Sequence, residues 1–399
     1  MNMKINRTYK FRIYPTKEQE NKLAQYFGSV RFLYNYFLNE RKVQYEETGK
    51  SDNYYIQQKK LTSLKKNKEY AWLNNIATIS LQFAIRHLET AYTNFFNKRS
   101  EFPTFHKKKG RQSFTTAQNI HFVKNRLHIV GFKEGLKCKI SKEVYGKLKE
   151  ASIVKTCSGK YYANIVAEQD IQVIEKDKKQ VGIDLGIESL LITSNGEKFN
   201  NPKFINKYQE ELSKAQRYLS RKIKGSNQFE KQKLKVAKIQ EKIANCRNDN
   251  LHKISYKLAN EYSDIFMEDL NVKSMQKNRY LAKAISDCSW NTLRNMLEYK
   301  GKWYGCSIHK ISRWYPSSKT CSVCNYTLES LPLNIRNWTC PKCGEKHNRD
   351  INAAKNILKE GLRELSAGTV DYTGGETVRI RNRKNSNQDP MKPEAVCFS

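Results

Sequence analysis

From Lys4 to Tyr14 polar and apolar residues alternate, placing Ile5, Arg7, Tyr9, Phe11 and Ile13 on one side, and this pattern predicts a strand. Pro15 ends it. Thr16 followed by Gln19 has the spacing of a capping box, so a helix is expected to begin there. Two or more helices then run to about Lys98. The last has the clearest stripe: Leu81, Ile85, Leu88, Tyr92 and Phe95 recur at spacings of 4, 3, 4 and 3. The segment FPTFHKKKGRQ, 102–112, reads as a loop. Short β-rich runs follow at 120–123, 127–130, 153–156 and 161–166, with Ser158-Gly159 as a hairpin turn. They predict a small antiparallel sheet or barrel, with Ile5–Tyr14 as an extra strand.

The pattern changes at VGIDLGIESLLITSNGEKF, 181–199, which reads as a buried strand, a second strand, the turn Asn195-Gly196 and a third strand. A helical, strongly basic region comes next. Between Ile205 and Asn260 there are 14 Lys or Arg against 5 acids, with Val236, Ile239 and Ile243 as an apolar stripe. One-signed charge of this kind suits a surface facing a polyanion better than salt-bridge lacing. DIFMEDL, 264–270, is another short strand, and Trp290, Leu293 and Leu297 mark a helix. A helix beginning near Asn348 carries Ile351, Ala354, Ile357 and Leu358. From about Ser366 the chain turns Gly-, Asn- and Arg-rich, and 366–399 reads as a disordered basic tail.

Charge narrows the partners. With 73 Lys and Arg against 39 Asp and Glu in 399 residues, the formal net charge is +34. Such an excess repels itself unless a polyanion neutralises it, and nucleic acid is the first candidate. The 38% hydrophobic content, with 23 Tyr and 17 Phe, supports real cores and excludes wholesale disorder. No apolar run reaches the roughly 18 residues of a membrane span, and the first residues lack the apolar core of a signal peptide. A cytoplasmic location is expected, with the ten Cys reduced or bound to metal.

Four of those Cys are patterned. Cys321 and Cys324 form one C-x-x-C pair, Cys340 and Cys343 another, and 15 residues separate the pairs. This is the spacing of a zinc ribbon, in which two knuckles complete a tetrahedron of thiolates around a structural Zn²⁺. Four Cys leave no open coordination position for catalysis, and His347 is surplus to the set.

The acids are scattered more widely. Asp184 lies inside an apolar strand, where an unpaired charge is costly. Glu268 ends a second apolar strand, and Asp350 opens a helix. Alone, each has a structural explanation: a turn cap, a strand-end charge, a residue favoured by the helix dipole. Together they place acids on strand, strand and helix, 84 and 82 residues apart, the layout of an RNase H-like nuclease core. In-line hydrolysis of a phosphodiester uses two divalent ions roughly 3.5–4 Å apart, and Mg²⁺ prefers carboxylate oxygens. Asp269 is expected on the opposite strand face from Glu268, and Asp287 as at most an auxiliary acid. Lys107, Lys108, Lys109 and Arg111, beside Phe105, His106 and Phe114, combine cations with aromatics as phosphate-contacting and base-stacking surfaces do. Lys319, next to the ribbon, is a further phosphate candidate. Tyr34, Asn35 and Tyr36 either read DNA edges or pack, and packing is the better reading for the tyrosines.

These residues resemble the TnpB family, transposon-encoded RNA-guided DNA nucleases related to the type V CRISPR effectors. The resemblance runs from YKFRIYPTKEQ at 9–19 to about Leu358. Its most specific parts are GIDLG at 182–186, MEDLNVKSM at 267–275, YPSSKTCSVC at 315–324 and CPKCGEKHNRDINAAKNIL at 340–358. It implies a RuvC-like catalytic triad of Asp184, Glu268 and Asp350 that binds two Mg²⁺, with the ribbon between the second and third acids. The implied fold is α/β and multidomain: a wedge β-barrel of 1–15 and 100–177 carrying an inserted helical recognition lobe, 16–99, and a RuvC-like nuclease domain of 178–319 and 345–365 with a zinc ribbon inserted at 320–344. It further implies a bacterial insertion sequence, a guide RNA from the transposon end, and a double-stranded DNA target read beside a short adjacent motif. The particle would be a monomeric ribonucleoprotein in the bacterial cytoplasm, at the nucleoid. Asn348 departs from the Asp that the family often has there. Presence of all three acids weighs against a non-cleaving RNA-guided DNA-binding regulator, the alternative reading. A single-strand transposase would need a His-hydrophobe-His motif, and none of the seven His makes a His-x-His pair.

Overall fold

The structure, a computed structural model, describes residues 2–110, 112–173, 176–368 and 371–372. The first half contains β1 (Asn2–Tyr14), α1 (Lys17–Thr48), α2 (Tyr54–Lys66), a 3₁₀ helix (Lys68–Asn75), α3 (Thr78–Phe96), β2 (Gln112–Thr116), β3 (His121–Val123), β4 (Arg126–Ile129), β5 (Phe132–Lys139), β6 (Lys147–Lys155) and β7 (Tyr161–Gln172). The capping box at the start of α1 forms: Thr16 Oγ1 accepts from the Gln19 N–H at 3.3 Å, and Gln19 Oε1 accepts from the Thr16 N–H at 3.1 Å. The seven strands make one antiparallel sheet in the order β2-β6-β7-β1-β5-β4-β3. β1 pairs with β7 from Asn2 to Ile13, so its alternation turns Tyr9, Phe11 and Ile13 into the core.

That core is shared. Leu33 and Phe37 of α1 and Leu81, Ile85 and Leu88 of α3 pack in the same apolar cluster as the strand residues Phe11, Phe114, Leu136 and Ile165. The sheet curls around these helices. No ladder joins β2 to β3 among the described residues, so the expected barrel is a curled sheet with its ends unpaired.

The second half contains β8 (Gln180–Leu185), β9 (Ser189–Thr193), β10 (Lys198–Asn200), α4 (Phe204–Lys207), α5 (Gln209–Ser220), α6 (Asn227–Glu261), β11 (Asp264–Glu268), α7 (Val272–Met275), α8 (Ala282–Cys288), α9 (Trp290–Tyr304), β12 (Ser307–Ile311), β13 (Asn337–Thr339), β14 (Lys346–Asn348), α10 (Arg349–Ser366) and β15 (Asp371–Tyr372). Six strands form a mixed sheet in the order β10-β9-β8-β11-β12-β15. β8, β9 and β10 are an antiparallel meander, while β11 and β12 run parallel to β8. α6 and α9 cover one face through Leu251, Leu258, Leu293 and Leu297. α10 covers the other, where Ile357 meets Phe266 and Ile311.

α10 lies unusually close to the strands. A Cβ on Gly182 would sit 2.1 Å from the Ala354 carbonyl oxygen, and one on Gly361 would sit 2.1 Å from the Phe266 ring. Only hydrogen at those two positions permits this approach. Two expectations change here. Ser366 ends α10, and within the expected tail Asp371–Tyr372 pairs with His309 and Lys310 as a short strand. Residues 369–370 and 373–399 of that tail lie outside the described residues. β12 carries no alternation strong enough to flag it, yet it is the fifth strand of the sheet.

Candidate active site and metal centre

Strand alternation explains where the acids go. In β8, Val181 and Ile183 enter the core under α6 and α9, so Gly182 and Asp184 face α10. In β11, Ile265 and Met267 enter the same core, while Phe266, and with it Glu268, faces α10. The two strands are parallel neighbours with Ile183 opposite Met267. Asp184 and Glu268 are the next residues of each, which sets them side by side at about the 4.8 Å strand spacing. Asp350 arrives from above in the first turn of α10. Asn348 is the N-cap of that helix, its Oδ1 accepting from the Ile351 N–H at 3.2 Å. Asn and Asp cap equally well, so the substitution at this position keeps the helix start intact.

The three carboxylates act on one another. Burial, and then the charges of Glu268 and Asp350, push the Asp184 carboxyl up to about 8, against the opposing pull of Arg349 and the Leu185 N–H. Burial also raises Glu268, opposed by a hydrogen bond that Ser317 Oγ donates to its Oε1 at 2.6 Å. Arg336 Nη1 lies 3.2 Å from Asp350, and its other terminal nitrogen lies 3.4 Å from Glu188. Hard carboxylate oxygens gathered on one face are the donor set that suits divalent Mg²⁺. Their oxygens do not come as close as the ribbon sulfurs do: among the described residues, the four Cys form the group of metal-capable atoms lying within 4.8 Å of one another.

Other acids are committed elsewhere. Asp287 accepts from the Ile205 N–H at 3.0 Å and lies 3.6 Å from Arg247, which makes it an anchor for α4. Asp269 bonds Arg313 and lies 3.6 Å from Arg294, and Asp264 bonds His309 at 2.8 Å.

The ribbon is two copies of one turn. Asn325 N–H donates to Cys321 O, and Gly344 N–H to Cys340 O; Cys321 N–H donates to Tyr326 O, and Cys340 N–H to Glu345 O. Asn325 and Gly344 both have left-handed φ, 61° and 76°, which turns the chain back after each second Cys. Sulfurs of Cys321 and Cys343 are 3.7 Å apart, and those of Cys324 and Cys340 are 3.6 Å apart. Four sulfurs at about 2.3 Å from a central Zn²⁺ would be separated by about 3.8 Å, so the cluster fits that ion. His347 Nε2 sits 3.0 Å from Cys321 Sγ, outside the four-sulfur set, and its ring lies tilted against Trp338 at 4.7 Å.

Among the basic candidates, Lys107, Lys108 and Lys109 are exposed, and Arg111 lies outside the described residues. Their loop is tied to α1: Asn35 bonds the His106 backbone at 2.7 and 3.0 Å, and Tyr34 stacks on the His106 ring at 3.8 Å. Buried Tyr34 and half-buried Tyr36 pack, as expected for the tyrosines. A cleft of about 690 Å³ opens beside this loop, lined by Arg31, Tyr34, His87, His106 and Lys107. Lys319 Nζ donates to the Glu329 carbonyl at 3.2 Å. Sequence patterns missed Ser317, Arg336 and the amides Asn352 and Asn356. The motif YPSSKTCS was the available signal for Ser317.

Residues 164–279 match a family model described as "Probable transposase", 290–357 one described as "Cas12f1-like, TNB domain", and 1–50 one described as "Helix-turn-helix domain". In the last span the structure has β1 and the single helix α1. A Streptomyces pristinaespiralis protein named "Putative RNA-guided DNA endonuclease" is 38% identical over 99% of both chains. Another of that name, InsQ of Escherichia coli K12, is 31% identical over 93% of this chain and 96% of its own. A protein of Acanthamoeba polyphaga mimivirus, named "TnpB-like protein L79", is 25% identical over 89% of this chain and 73% of its own. Among solved structures, the Cas12f1 chain of a Cas12f1-sgRNA-target DNA complex superposes with a TM-score of 0.56 at 14% identity, covering 89% of this chain and 99% of that one, a likeness of fold.

Proposed function

We infer the activity from a premise that these similarities establish: the chain belongs to the TnpB family. The proposed function is RNA-guided cleavage of double-stranded DNA by phosphodiester hydrolysis. The nuclease unit would be the six-stranded sheet with α6, α9 and α10, read as an RNase H-like (RuvC) core of 178–319 and 345–365, with the ribbon of 320–344 inserted. The strand order supports this, since an antiparallel meander followed by two strands parallel to its first is the RNase H arrangement. Residues 1–15 and 100–177 would form the wedge, and 16–99 the recognition lobe. One observation carries the reading: Asp184 and Glu268 end neighbouring parallel strands on the sheet face that α10 covers, and Asp350 lies in the first turn of α10.

Asp184, Glu268 and Asp350 would hold Mg²⁺, and Cys321, Cys324, Cys340 and Cys343 would hold Zn²⁺. When bound, divalent cations activate water and stabilise the leaving oxygen at a scissile phosphate. The chain's own task is to hold three carboxylates in place, and a bound cation would favour the ionised form of Asp184 that burial and its neighbours oppose. β8 and β11 set two of them rigidly, and α10 brings the third. The excess of positive charge would hold a guide RNA, from the end of an insertion sequence, and the target DNA beside a short adjacent motif. Among the described residues no helix is long and apolar enough to cross a membrane. We expect a monomeric ribonucleoprotein acting in the cytoplasm at the nucleoid.

The test is cleavage of a guide-matched duplex by protein carrying its guide RNA, with and without Mg²⁺. Product should require both, and Asp184→Ala should bind the duplex without cutting it. Occupancy without product from the unaltered protein would instead make it a DNA-binding regulator.

A further inference from the structure

We infer that Ser317 is a positioning residue that fixes the Glu268 carboxylate, and that Asn352 and Asn356 couple its loop to the helix bearing Asp350. This rests on reading the three acids as the nuclease site.

Ser317 is 7% exposed, and its hydroxyl hydrogen goes to Glu268 Oε1. At 2.6 Å this is a short, charge-assisted bond. It occupies one carboxylate oxygen and restrains the plane of the group. Glu has one more rotatable bond than Asp, so of the two strand acids Glu268 needs such restraint more. The Ser317 backbone is itself held: its carbonyl accepts from Asn356 Nδ2 at 2.8 Å. The same Nδ2 donates to the Thr320 carbonyl at 2.6 Å, and Asn352 Nδ2 donates to it at 2.7 Å. Asn352 Oδ1 then accepts from the Ser322 N–H at 3.0 Å.

Both amides are buried, at 2% and 0% exposure, and stand one turn apart on one face of α10. Asp350 lies two residues before Asn352. Hydrogen bonds therefore link Glu268 through Ser317 to Asn356 of α10, the helix whose first turn carries Asp350. Ser322, between the first two ribbon cysteines, is on the same network. A separation between carboxylates that must be kept to a fraction of an ångström is thus set by a loop and not by the strands alone.

The test maps the ion by its own chemistry. Fe²⁺ replaces Mg²⁺ in the RNA-loaded full-length protein, and ascorbate with peroxide then cuts the backbone beside bound iron. In the unaltered protein we expect scission near residues 184, 268 and 350. Ser317→Ala should raise the Fe²⁺ concentration for half-maximal scission by about tenfold, the usual effect of losing a partner that orients a metal ligand. Zinc content and duplex binding should stay unchanged. Ser317→Thr, which keeps the hydroxyl, should restore the affinity. If the Ala variant does not fold, Ser317→Cys, similar in size with a feeble donor, should show the same loss. Unchanged Fe²⁺ dependence in a folded variant lacking the hydroxyl overturns the inference. Asp184→Ala separates the two readings. If it too keeps the scission pattern, the acid site itself is misassigned; if it loses the pattern while Ser317→Ala keeps it, only the positioning role fails.

Discussion

The ribbon and the acid site lie a few residues apart at Asp350, yet they are built on opposite plans. The four cysteines that could hold a metal come from residues 321–343, and one hairpin turn used twice brings their sulfurs within 4.8 Å of one another. The proposed acid site would draw its ligands from residues 184, 268 and 350, which a sheet, a helix and a clamped loop bring to one face. Soft thiolates in a local turn form a site that a metal can close with little help from the rest of the fold. Hard carboxylates that repel one another need the whole domain to hold them, and that stored repulsion is what a divalent cation relieves.

The contrast can be broken most forcefully at the ribbon. Replacing Cys321 and Cys340 by Ser should remove bound zinc entirely, measured as metal per chain by mass spectrometry, because structural zinc contributes about 10–16 kcal/mol to such folds. One zinc retained per chain would mean that the thiolates are not the ligands. At the acid site, Asp184→Asn should lower the cleavage rate at least about a thousandfold, several kcal/mol of transition-state stabilisation, while target affinity is kept.

Proton uptake distinguishes the two sites without any substrate. Asp184 is raised to about 8 in the folded protein, so below that pH the native state holds a proton that the unfolded chain has released above its ordinary value of 3.8. The stability of metal-free protein should therefore fall as pH rises from about 4 to about 8. Asp184→Asn should flatten that slope, and urea titrations at several pH values would show it. An unaltered slope in the variant would mean that Asp184 is already ionised and paired. The gentlest comparison uses glycines. Gly182→Ala forces a methyl against the Ala354 carbonyl and should cost about 1–3 kcal/mol, read from the same titrations. Gly344→Ala meets no atom within 4 Å, but its left-handed φ should cost about 1 kcal/mol. A smaller cost at Gly182 than at Gly344 would show that α10 shifts off β8 with little penalty.

How much of this was legible in the sequence follows the same division. Cys321, Cys324, Cys340 and Cys343 could be read directly, because a knuckle is a local object with a fixed spacing. Asp184 and Glu268 were visible as charges in apolar strands, but their shared face needed the β8–β11 register, which only the folded sheet supplies. Ser317, Arg336, Asn352 and Asn356 act through partners brought near by tertiary structure, so no periodicity marks them. Of the expected sheet or barrel, the described residues form a sheet with unpaired ends, since strand propensity says nothing of whether the last strand meets the first. Lys107, Lys108 and Lys109 stay exposed, as a phosphate-facing loop requires, though exposure alone assigns them no ligand.

The central claim is that three distant carboxylates form one cation site. Anomalous scattering from crystals of the RNA-bound protein soaked in Mn²⁺ tests it most directly. We expect two manganese peaks in contact with Asp184, Glu268 and Asp350 and none at the four cysteines. Manganese that binds elsewhere, with those carboxylates left paired to Arg336 and Ser317, would contradict it.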